Sequence, residues 1–212
     1  MQKLKIICTF FILKSFLACE PAVTFNQPQP VDIDNLSIFP KRIQGQYLSQ
    51  SDSSLLLIDD KLIKRIFDYD IKIHPNELDS NSKLSGNTII DSKTNERTLI
   101  KYDGDSLIKH IYYIDTLFHL NYDNVVRTFR GYYFLNTRYG KESWEVKKVQ
   151  LTKGKLILSR ISTKLDIENL KEITETKQDT IPPYHISSTK SQFKKFVKKD
   201  GFSDSETFIR QK

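Results

Sequence analysis

From Ile43 to Ser162 the chain repeats one motif: a short run rich in Ile, Leu, Val, Tyr and Phe, then a cluster of turn residues. Recurring at hairpin spacing, that pattern predicts successive antiparallel strands. The clearest turns are Ser53-Ser54, Asp59-Asp60, Asp103-Gly104-Asp105, Tyr139-Gly140-Lys141 and Lys153-Gly154-Lys155, residues that tolerate tight or left-handed backbone. Four of the runs open alike, at Lys61-Leu62-Ile63, Asn87-Thr88-Ile89, Ser106-Leu107-Ile108 and Lys155-Leu156-Ile157. Their spacing is too irregular for a solenoid, and a meander of hairpins accounts for it. Gly45 and Gly131 each stand at the start of a run, where glycine permits a bulge or sharp bend and hence a curved sheet.

Helical periodicity comes only towards the end. Thr163 precedes Leu165, Ile167, Leu170 and Ile173, a mostly helical spacing behind a capping residue. Thr189-Lys190-Ser191-Gln192 fits a capping box, Phe193, Phe196 and Val197 form an apolar stripe, and Gly201 stands where a left-handed C-cap is expected. Pro182-Pro183 separates the two segments. The expected fold is mainly β, an antiparallel meander closing as a barrel or a sandwich, with two short C-terminal helices, one of which covers the sheet.

The N-terminus follows a different pattern. Met1 to Lys5 is basic, Ile6 to Leu13 is an unbroken apolar or neutral run, and Phe16-Leu17-Ala18 sets a small residue directly before Cys19. This three-part layout is that of an export signal, and the apolar run is far short of the about 20 residues that span a bilayer. The segment resembles the lipobox of bacterial lipoproteins, departing from it by Phe16 where Leu is usual and by Lys14 after the apolar run. That resemblance implies cleavage after residue 18, acylation of Cys19 and a lipid-anchored envelope protein, at the outer membrane in preference to the inner. Cysteine usage agrees: the other cysteine, Cys8, lies inside the segment to be removed, so Cys19 has no disulfide partner in the mature chain. The expected organisation is a signal peptide over 1–18, a lipidated N-terminus and tether over 19–40, and one β-rich domain over 41–212. The tether follows from Pro21, Pro28, Pro30 and Pro40 among Asn, Gln and Asp, which break regular structure; residues 20–30 are expected to lie outside the domain, whereas Val31, Ile33, Leu36, Ile38 and Phe39 of the second half are expected to pack onto it.

Charge changes this picture little. The chain carries a formal +7, but Lys3, Lys5 and Lys14 belong to the signal. The remaining excess gathers near Lys194, Lys195, Lys198 and Lys199. Such a strip is the solvated side of an amphipathic helix or a surface for anionic lipid headgroups. No nucleic-acid partner is expected.

Signals for chemistry are sparse. His74, His110, His119 and His185 lack the spacing of a helical zinc pair, although His110 and His119 can face one another across a hairpin. Asp68 and Asp70, two apart on a strand, share one face, but the D-x-D-x-D-G calcium loop is missing. There is no G-x-S-x-G and no Gly-rich phosphate loop, and the S-x-x-K at Ser191–Lys194 falls in a lysine-rich helix. Neither cofactor nor metal is expected, and no catalytic residue is assigned. Aromatic residues concentrate between 102 and 144; Tyr112, Tyr132 and Trp144 are the candidates for a ligand-facing platform, against the plainer reading of core packing.

These features predict a membrane-anchored, non-enzymatic binding or structural module. Its partners are the bilayer, through Cys19, and an envelope protein, glycan or small ligand. A lipocalin-like small-ligand carrier is the alternative, and an anchored hydrolase a more distant one.

Overall fold

The computed structural model describes residues 20–176 and 181–211; the signal segment and Cys19 lie outside the described residues. In chain order the first strands are β1 (Val23–Phe25), β2 (Asn35–Leu36), β3 (Gly45–Ser49), β4 (Leu55–Ile58), β5 (Leu62–Ile73), β6 (Ser82–Ser85), β7 (Thr88–Asp91) and β8 (Arg97–Asp103). They are followed by β9 (Ser106–His119), β10 (Asn124–Phe129), β11 (Tyr132–Gly140), β12 (Ser143–Thr152) and β13 (Lys155–Arg160). Helix α1 (Lys164–Thr174), β14 (Tyr184–Ile186), α2 (Lys190–Lys198) and β15 (Asp204–Arg210) complete the chain.

The strands form one curved, open sheet in the order β2-β10-β11-β12-β13-β15-β3-β4-β5-β9-β8-β7-β6, with β1 and β14 attached beside β12. It is antiparallel apart from the β1–β14 pair. The mainly-β expectation with two helices holds, and the sheet closes as neither barrel nor sandwich: its pairing path ends at β2 and β6.

Both faces of the central strands are covered, which is why β11 reads as a continuous apolar run rather than an alternating one. The concave face buries Phe39, Tyr47, Ile63, Phe118, Tyr133 and Phe208. On the convex face Phe134, Val146 and Ile161 pack under the two helices, against Leu170, Phe193 and Phe196. Helix α1 starts where Thr163 accepts the Asp166 amide at 3.2 Å. Helix α2 starts in the expected capping box, with the Thr189 side chain accepting the Gln192 amide and the Gln192 side chain accepting the Thr189 amide.

Two expectations are corrected. Residues 20–30 are not a free tether: β1 pairs with β12 and β14, and Phe25 and Gln29 are fully buried, while Phe39 is buried as expected. Two distant side chains hold this stretch. Asn136 binds the backbone of Gln29 on both sides, and Arg127 donates to the carbonyls of Pro28 and Pro30. The left-handed residue after α2 is Asp200 (φ 53°), not Gly201. The last strand, for which the sequence pattern gives no signal, is central: β15 inserts between β13 and β3 in mid-sheet.

A charged knot ties β15 to the opposite limb. Arg65 donates to Glu206 at 2.9 Å and to Asp52 at 2.8 Å. Burial works against the charged form of Asp52, but hydrogen bonds from the Ser54 hydroxyl and amide, from Ser49 and from Arg65 outweigh it and hold the carboxyl at about 2. A folded-state value below the unfolded one, about 3.9, gives stability that is present above that value and lost as pH falls through the folded one. Acid denaturation should therefore steepen between about pH 4 and pH 2, and Asp52→Asn should remove that part of the slope. Parallel acid titrations of the two proteins by circular dichroism check it, and superimposable profiles would reject it.

Candidate functional site

Strands β5 and β9, of 12 and 14 residues, outrun their neighbours. β4 accompanies β5 only as far as Ile66, and β8 accompanies β9 only as far as Lys109. Between those limits a two-stranded ribbon, residues 67–70 against 110–113, leaves the sheet as an arm. Cross-strand partners share a face. One face carries Phe67 with Tyr113 and Tyr69 with Ile111; the other carries Ile66 with Ile114, Asp68 with Tyr112 and Asp70 with His110. Phe67 and Tyr113 stack at 4.3 Å between centroids with 12° between planes.

Among the described residues no layer covers either face: on one, Tyr69 and Tyr113 are exposed. Tyr112 is 59% exposed, Ile114 50% and Leu99 71%. Beyond the ribbon, Ile89, Ile100 and Leu107 form a small core of their own, so the tip carries a local sheet with a hydrophobic face. Where β8 diverges from β9, a cleft of about 580 Å³ opens between Leu99 and Ile108 on the apolar side and Asp70, Lys101 and His110 on the polar side. His110 lies between two carboxylates, with Nδ1 2.9 Å from Asp70 and Nε2 3.6 Å from Asp68. Asp68 and Asp70 do share a face. His110 and His119 do not oppose each other: both are on β9, and His119 pairs with Leu62.

From His110 to Phe118 the outer edge of β9 has no strand partner among the described residues, so its backbone groups are open to an added strand, while at its end the His119 carbonyl accepts from Asn124. Exposed tyrosines and branched aliphatics supply apolar contacts beside it.

A second concavity, of about 310 Å³, sits on the concave face of the sheet. Ile63, Leu135 and Leu158 line its floor, with Arg65, Arg160 and Glu206 at its rim. The rim charges are paired: Arg160 meets Asp204 at 2.6 Å and Arg65 meets Glu206.

The three aromatic candidates do not share a platform. Tyr112 is on the arm. Tyr132 begins β11 and lies 5.3 Å from the ammonium of Lys148, a lysine that burial pushes below its usual range. Trp144 is buried in β12, with the Arg138 guanidinium 4.4 Å above its ring. The arm as a whole went unrecognised, since consecutive Tyr112-Tyr113-Ile114 reads like a strand buried on both faces. The signal that marks it is polar: Asp68 and Asp70 interrupt the partner strand.

No protein-family model matches the chain, and no curated protein or solved structure matches it either.

Proposed function

We propose that this is a lipid-anchored envelope lipoprotein, non-enzymatic, that binds a partner protein through the β5–β9 arm. The observation that carries the reading is the unpaired edge of β9 beside the cleft at Leu99 and Ile108. An open edge selects for extended backbone, and neighbouring pockets select side chains, which is recognition by strand addition. Acylation of Cys19, expected from the pattern of residues 1–19, would hold such a module at the membrane.

A photo-crosslinking residue in place of Tyr112 tests it in cells. The expected product is an adduct larger than the mature chain, lost when Leu99 or Ile114 is changed to Lys. Those positions are exposed, so the changes should move stability by no more than about 0.5 kcal/mol. A folded, membrane-bound protein with no adduct from position 112 would reject the arm as the binding surface.

The concave cleft favours a second reading, a carrier of a small amphiphile, since an apolar floor under a few oriented charges is the usual form of a ligand site. Leu158→Trp would fill it. Loss of binding of a fluorescent amphiphile in that variant, with adduct formation at Tyr112 unchanged, separates the two readings.

A further inference from the structure

Helix α2 presents two unlike sides. Phe193, Phe196 and Val197 are buried against the sheet, while Lys194, Lys195, Lys198 and Lys199 are exposed. From Lys190 to Lys199 there is no acid, and none of these four ammonium groups has an ion-pair partner among the described residues. Lys190 is engaged otherwise, donating to the Asp32 carbonyl at 3.0 Å. The next acid, Asp200, acts on buried Lys148. A four-cation surface is thus left without internal compensation.

The position of the N-terminus gives that surface a direction. β1 runs directly beneath α2, with the Phe25 ring 6.0 Å from that of Phe193. β1 also pairs in parallel with β14, the strand that leads into α2. Cys19 precedes Phe25 by six residues, a span of at most about 20 Å when fully extended. An acyl chain on Cys19 therefore holds the convex, helix-covered side of the sheet close to the bilayer, since the following residues are docked rather than free.

We propose that the exposed face of α2, formed by Lys194, Lys195, Lys198 and Lys199, rests on anionic phospholipid headgroups and fixes the orientation of the anchored protein. The proposal rests on acylation of Cys19. A bilayer carrying negative charge attracts lysines within a Debye length of its surface, about 8–10 Å at physiological salt, and high salt screens that attraction.

The test uses the acylated protein reconstituted in vesicles of phosphatidylcholine alone or with phosphatidylglycerol at roughly 7:3. Lysines are labelled with an amine-reactive reagent and read by mass spectrometry. In the anionic vesicles the four lysines should react about fivefold more slowly than in the neutral ones, a factor in keeping with the attraction of one lysine near such a surface. The difference should vanish near 1 M salt. Lys83, Lys93 and Lys101 on the arm should react equally in both. In a Lys194→Gln, Lys198→Gln variant, protection of Lys195 and Lys199 should fall towards the neutral-vesicle level. Equal reactivity in the two vesicle types, or protection of the arm lysines instead, would overturn the orientation. Co-flotation with neutral vesicles reads the anchor separately. A protein that floats with neither vesicle refutes both acylation and orientation, and one that floats with both while its α2 lysines stay equally reactive refutes the orientation alone.

Discussion

Truncating Phe193 to alanine should cost about 3–5 kcal/mol, a large part of the about 5–15 kcal/mol that holds a domain of this size together. Phe193 is fully buried and meets three rings edge-on: Phe134 at 5.0 Å, Phe25 at 6.0 Å and Phe202 at 6.2 Å between centroids. Those rings come from β11, from β1 and from the segment entering β15, so one side chain joins the sheet, the docked N-terminus and the last strand. Its loss leaves a void bordered by elements that are paired elsewhere and cannot collapse inward. Lys195→Gln, on the opposite side of the same helix, should change stability by less than about 0.5 kcal/mol. Urea denaturation of the three proteins with a shared m-value makes the comparison. A midpoint left unmoved by Phe193→Ala would mean that α2 is not part of the core.

What the sequence made legible was whatever is decided by near neighbours. Thr163 and Thr189 cap the helices as expected because a cap is a contact over three residues. The turn at Lys153-Gly154 has both residues at positive φ, and Gly104 likewise, since turn chemistry is local. β15 escaped notice for a physical reason. Its concave-side positions are Asp204, Glu206 and Phe208, and two of the three are acids paired with Arg160 and Arg65. Alternation of apolar and polar residues cannot reveal a strand whose inward face is itself charged.

Residues 20–30 misled in the opposite way. Their prolines do exclude a helix, but the extended chain they leave is stored on the sheet rather than released. The groups that hold it, Asn136 and Arg127, are about a hundred residues away in sequence, and spacing along the chain carries no sign of them. The arm lies between these cases: its strands were legible, its exposure was not. Exposure depends on whether another layer lies above a strand, which is a property of the whole topology.

Gly201→Ala should be destabilising by about 1–3 kcal/mol, as overpacking is in a filled core, and the cost should depend on one neighbour. A Cβ at position 201 would stand 2.1 Å from Cε2 of Phe196, far inside van der Waals contact. The ring cannot withdraw: Phe196 is fully buried, with Phe202 5.5 Å away. Gly201 is therefore required for close approach, while the left-handed turn after the helix falls on Asp200. The two explanations for the glycine separate in a double-mutant cycle. If the obstacle is the Phe196 ring, the methyl added by Gly201→Ala enters the space opened by Phe196→Ala, and the two costs fall short of additivity by about 0.5–3 kcal/mol, the range for residues in contact. If the obstacle were backbone conformation, removal of the ring would bring no relief and the costs would add. Denaturation midpoints of the wild type, the two single variants and the double variant distinguish these outcomes, and strict additivity would refute the close packing of Gly201 against α2.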